Sequence, residues 1–145
     1  MSLPNFDVNG KLPAGIHTCT WEEVKKKLAF NPRRQELLAG LMRACEVLKK
    51  AGCDTIYVDG SYATNKEFPG DFDVCWKDNN VDLKLLQELD PVLLDFSSKR
   101  AAQKAKYGGE LFLASTRADS QGQTFLEFFQ QDRDGNPKGI VEIHL

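Results

Sequence analysis

The chain predicts a single α/β (α+β) domain, a small mixed β-sheet flanked by helices. Apolar residues recur at helical spacing, then in alternation, then at helical spacing again, so helices and strands interleave. With 145 residues, 41% apolar and 28% charged, the chain can bury roughly two thirds of its unfolded surface without disulfide or metal support. No internal repeat is visible and no domain boundary is needed within residues 1–145.

Residues 1–19 carry Pro4, Gly10, Pro13 and Gly15 with little periodicity, and read as an extended, turn-rich arm packed over the domain. Thr20-Trp21-Glu22-Glu23 has the pattern of a capping box and opens a short helix reaching about Leu28. Asn31 suits an N-cap and Pro32 the first helical position. Leu37, Leu38, Leu41, Met42, Cys45 and Leu48 then mark the main buried helix, which Gly52 closes. Ile56 and Val58 share one face of a strand that ends at Gly60-Ser61. After Pro69-Gly70, a second strand starts at about Asp71 and sends Phe72, Val74 and Trp76 inward. Residues 83–94 fit a helix broken near Pro91, and the basic, alanine-rich stretch 97–106 a further one. Residues 110–115 form a third strand. Residues 116–145 supply a helix whose Phe125, Phe128 and Phe129 make one buried face, a turn over 132–139, and a last strand over 140–145.

Nineteen basic and 21 acidic side chains leave a net charge of −2, which argues against a large basic nucleic-acid surface. No stretch approaches the ~18 consecutive apolar residues of a membrane span, and Met1 to Gly10 lacks the features of a signal peptide, so the expected location is the cytoplasm, away from membranes. Cys19, Cys45, Cys53 and Cys75 show no metal-ligand spacing and read as free thiols. Asp132 to Asn136 looks like the start of a calcium loop. Pro137 and Ile143 stand where that template needs glycine and glutamate, and the segment reads as a turn.

The chemistry concentrates between Gly60 and Val74. Asp71 and Asp73, two apart on a strand, send both carboxylates to one face, and a divalent cation relieves their repulsion. Oxygen-only ligands favour Mg2+ or Mn2+. Gly60 allows close approach to the backbone and Ser61 adds a hydroxyl donor, which together suit a phosphate. A phosphate-binding turn beside paired carboxylates describes metal-dependent phosphoryl or nucleotidyl transfer.

Gly60-Ser61, nine intervening residues and Asp71-Phe72-Asp73 resemble the signature of the DNA polymerase β-like nucleotidyltransferase superfamily, above all its minimal bacterial members. The order of elements extends the resemblance over about residues 32–115, the catalytic core it implies. The segments Gly15-Ile16-His17 and Thr20 to Glu23, with the Phe125 to Gly139 tail, are similar to an uncharacterised bacterial family of small proteins in the same superfamily. The resemblance implies the polymerase β-like fold, with metal held by Asp71, Asp73 and a third carboxylate on the next strand. Glu110 occupies the third position, where minimal members carry aspartate; Asp95 is the alternative. Thr64 stands where those members have a basic residue, leaving Lys66 to supply positive charge beside Gly60 and Ser61. The implied reaction moves a nucleoside monophosphate from a nucleoside triphosphate to a hydroxyl of a protein, a transfer RNA or a small molecule. A partner protein or self-association would complete so small a pocket. The rival reading is an inactive binding module, such as one half of a toxin–antitoxin or defence pair.

Overall fold

The computed structural model describes residues 3–132 and 134–145. Met1 and Ser2 of the expected arm and Arg133 of the expected turn lie outside them. In chain order the elements are β1 (Gly15–Cys19), α1 (Trp21–Lys27), α2 (Pro32–Lys50), β2 (Thr55–Asp59), a 3-10 turn (Gly60–Ala63), β3 (Phe72–Trp76), α3 (Leu83–Leu89), a second 3-10 turn (Pro91–Leu94), α4 (Ser97–Tyr107), β4 (Gly109–Leu113), α5 (Phe125–Phe129) and β5 (Gly139–His144). The strands form one mixed sheet in the order β1-β5-β2-β3-β4. Parallel pairs close both edges, β1 with β5 and β3 with β4; the inner pairs are antiparallel.

The helices begin where their capping residues place them. Thr20 Oγ1 accepts from the Glu23 N–H (3.3 Å) at α1, and Asn31 Oδ1 from the Arg34 N–H (2.9 Å) at α2. The full reciprocal capping box lies elsewhere, between Thr124 and Glu127 at α5. Pro91 stops α3 as expected, and Asp90 caps the short turn that follows by accepting from Val92 N–H (3.1 Å).

Leu37, Leu41 and Leu48 of α2 pack with Ile56, Val58, Phe72, Val74, Trp76 and Leu111 to form the main core on one face of the sheet. The other face carries a smaller apolar cluster, Tyr57, Cys75, Phe129 and Ile140, beneath α5. All four cysteines are buried free thiols. Among the described residues no helix is long and apolar enough to cross a membrane.

Four expectations change. The last five residues of the arm, 15–19, form the edge strand β1. Its one aliphatic side chain, Ile16, is exposed, so it has no alternating pattern; pairing with Gly139–Ile143 makes it a strand. The third strand is Gly109–Leu113, earlier than 110–115: Gly109 pairs with Phe72, so closely that a Cβ there would meet Phe72 O at 2.3 Å. In α4, Ser98, Lys99 and Arg100 are left-handed (φ 51°, 54° and 60°), and the regular helix follows them. This unfavourable turn carries the Arg100 guanidinium onto the ring of Phe112, 3.8 Å from its centroid, and Phe96, at 4.7 Å. Finally, Phe129 packs edge-on against Phe112 and Phe125 lies tilted against it, but Phe128 faces solvent because α5 has only five residues and one buried side.

Candidate functional site

Strand register builds the site. Asp59 on β2 stands opposite Asp73 on β3, which stands opposite Glu110 on β4, a row of three acids across neighbouring strands. Their alternating neighbours Val58, Val74 and Leu111 enter the main core, so the acids leave the opposite face. Asp71 lies just before β3 and turns towards the same point. Carboxylate oxygens of Asp71, Asp73 and Glu110 all lie within 4.8 Å of one another. Asp95 is not in this cluster; it makes a local turn ahead of α4, accepting from Ser97 N–H (3.0 Å) and Oγ (2.6 Å).

The electrostatics record the crowding. Burial, then Asp71, Glu110 and Asp59, push the Asp73 carboxyl up to about 7. Burial and Glu110 also raise Asp71, against the opposing pull of Lys104, Arg33 and Lys66. Two carboxylates about 5 Å apart repel by roughly 3 kcal/mol at an effective dielectric of about 20. Lys104 offsets part of this, its Nζ 3.3 Å from Glu110, and Lys138 pairs with Asp59 at 2.7 Å. Burial nevertheless raises Asp59. Three clustered oxygen donors, one of them pushed towards neutrality by burial and by the neighbouring carboxylates, are compatible with a divalent cation.

Gly60 and Ser61 follow β2 directly, within touch of this row. Gly60 has φ +73°, and a Cβ there would lie 2.3 Å from Asp73 Oδ2, so only glycine lets the turn close against that carboxylate. Ser61, Thr64, Asp59, Asp73, Lys11 and Lys138 are among the residues lining a cavity of about 500 Å3. The arm therefore forms a wall of this cavity through Lys11 and Leu12, and Leu12 O accepts from the Gly139 N–H (3.2 Å). On the far side of the cluster a second cleft, about 320 Å3, joins Asp71 to Arg33, Arg43, Lys104 and Lys106.

Lys66 is exposed and outside the large cavity; Lys138 and Lys11 are the lysines that line it. Neither was legible as a site residue, since β5 must first be known to lie beside β2. Asp59 did carry a signal: two before it, Tyr57 shares its face, while Ile56 and Val58 take the other. Arg34 was also missed. It is fully buried in the first turn of α2 and donates to the carbonyls of Ser61 (3.0 Å), Tyr62 (2.9 Å) and Thr64, so the helix grips the turn from behind.

One family model, described as "Family of unknown function (DUF6932)", matches residues 4–144. The chain belongs to this family. No curated protein and no solved structure matches it. For this DUF6932 member the fold and the acidic cluster are the observations from which a function is argued.

Proposed function

We propose that this protein is a nucleotidyltransferase that moves a nucleoside monophosphate from a nucleoside triphosphate to a hydroxyl group, breaking the α–β phosphoanhydride bond and releasing pyrophosphate, on the polymerase β-like plan its motif resembles. One observation carries the reading: Asp73 belongs both to the acidic cluster and, with Gly60 and Ser61, to the wall of the 500 Å3 cavity. A carboxylate cluster and a phosphate-sized turn thus share one side chain. Mg2+ or Mn2+, held by Asp71, Asp73 and Glu110, would neutralise the triphosphate and lower the pKa of the attacking hydroxyl.

The chain's own residues divide the remaining work. Gly60 admits a phosphate close to the backbone and Ser61 donates its hydroxyl. Lys138 and Lys11 are the lysines of the cavity, held by Asp59 (2.7 Å) and Asp132 (3.4 Å), and would turn to a phosphate by exchanging those partners, a role for which Lys66 is less well situated, although its charge acts on Asp71. The acceptor approaches from the Asp71 side, where Glu110 is the candidate to take the hydroxyl proton. Protein, transfer RNA and small-molecule acceptors all remain in this proposal, as does a partner or second copy that completes the pocket.

Incubation with each α-labelled triphosphate and Mg2+ or Mn2+, alone and with cell extract or transfer RNA, tests it. Label transfer by the wild type that is lost in Asp71→Asn/Asp73→Asn is the expected result. A second reading, a binding module of the toxin–antitoxin kind, is favoured by the Lys104–Glu110 ion pair, which competes for the third acid. Identical behaviour of the two proteins, with no metal-dependent triphosphate binding, would overturn the enzyme reading and favour the module.

A further inference from the structure

A guanidinium withdrawn from water ordinarily faces a carboxylate, because an uncompensated buried charge is costly. Arg34 is fully buried, yet among the described residues no carboxylate forms an ion pair with it. All five of its N–H donors go to backbone carbonyls. Nε donates to Lys66 O (3.0 Å), Nη1 to Leu28 O (2.7 Å) and Tyr62 O (2.9 Å), and Nη2 to Ser61 O (3.0 Å) and Thr64 O. The rings of Phe30 and Tyr62 stack over it, 4.4 and 4.8 Å from the guanidinium carbon to the centroids. Its hydrogen bonds are satisfied, and its charge meets carbonyl dipoles and two aromatic faces but no carboxylate.

The position of that charge is informative. Three of the five carbonyls belong to Ser61, Tyr62 and Thr64, and Ser61 and Thr64 line the large cavity. The guanidinium therefore sits behind the turn, one peptide group away from the surface offered to a ligand. No neutral side chain carries five N–H donors, so the guanidinium grips the turn as no other group could, at the cost of desolvating a cation. An anion on the outer side of the turn would offset that cost.

We propose that Arg34 is a positioning residue whose buried charge, lacking a carboxylate partner, serves the phosphates of a nucleoside triphosphate held on the outer side of the Ser61 turn. The inference rests on the nucleotidyl-transfer reading, and adds that the anion's fixed counter-charge lies beneath the backbone, distinct from the lysines of the cavity. Arg34 acts in two ways, by fixing the turn through its carbonyls and by supplying charge.

Phe30 makes the two roles separable. Its ring is 46% exposed over the guanidinium, so a polar replacement there is compatible with folding. Phe30→Glu gives Arg34 an internal counter-ion and leaves the carbonyl bonds in place; Phe30→Gln is the neutral match. Leu89→Glu, exposed on α3, controls for net charge. Calorimetric titration with sodium tripolyphosphate in the presence of Mn2+ is expected to show about tenfold weaker binding for Phe30→Glu than for Phe30→Gln, with Leu89→Glu like the wild type. Mn2+ affinity should stay within about twofold throughout, and in the transfer assay KM for the triphosphate should rise with kcat little changed. Arg34→Lys should keep more tripolyphosphate affinity than Arg34→Met; if neither folds, the Phe30 pair decides. Equal affinities for Phe30→Glu and Phe30→Gln overturn the role of Arg34 while leaving the reaction intact. A wild type that binds Mn2+ but no tripolyphosphate overturns the phosphate site itself, and this inference with it.

Discussion

Two rows of side chains cross the same three strands, one residue apart. Val58, Val74 and Leu111 stand in register on one face, at 1%, 0% and 0% exposure, under the helical layer. Asp59, Asp73 and Glu110 stand in register on the other, Asp59 buried and Asp73 and Glu110 partly covered, with Asp59 and Asp73 bordering the cavity. One row lowers the free energy of the fold by removing hydrocarbon from water; the other raises it by crowding like charges. A one-residue slip of register would exchange them, burying acids and exposing valines, so the difference also fixes the strand pairing.

The comparison is broken most severely at the acid row. Asp73→Asn should reduce nucleotidyl transfer on the order of 1,000-fold, while the metal-free melting temperature stays level or rises because a repelling charge is gone. Parallel transfer assays and thermal melts check both halves. In the apolar row Leu111→Ala should show the opposite pattern, losing about 3 kcal/mol of stability by denaturant titration with Mn2+ affinity of the folded protein unchanged.

Acidity sharpens the contrast further. Asp73 titrates near 7 in the native state against an ordinary value of 3.8, so between these values the native protein holds a proton that the unfolded chain has released. The contribution of Asp73 to metal-free stability should therefore be full below about pH 4, decline as pH rises towards about 7, and level off above it, a trend read as the difference between the wild type and Asp73→Asn. Urea titrations across this range, with and without Mg2+, test the sign; saturating metal should abolish the decline. The smallest effect is expected at Lys104→Ala. Freeing Glu110 from its 3.3 Å ion pair should raise Mn2+ affinity about threefold, an exposed pair being worth less than about 1 kcal/mol.

What the sequence disclosed follows from range. Helices α1 to α3, with their caps and the break at Pro91, and strands β2 and β3 are written in local periodicity. Gly60, Ser61, Asp71 and Asp73 lie within one short stretch and could be read together. Glu110 required the next strand to lie beside β3, an expectation that the parallel pairing meets. Strand β1 was illegible because its partner, 124 residues along the chain, determines its conformation, and Lys138 was illegible for the same reason. Arg34 looked like an ordinary charge in the first turn of a helix; its burial arises only when the 60–66 segment folds across it.

The pairing of β1 with β5 also orders events in time. All four acids have been synthesised by residue 110, but Lys138 and the strand that fastens the arm come from the final tenth of the chain. Contacts between such distant segments are the slowest to close. The strands that carry the acids, β2, β3 and β4, pair with one another without β5, whereas the cavity beside them needs residues 138 and 139 in place. Deleting residues 138–145 is therefore expected to open the cavity wall and free the arm while the carboxylates keep their own strands, a difference that hydrogen exchange in β1 against β3 would read.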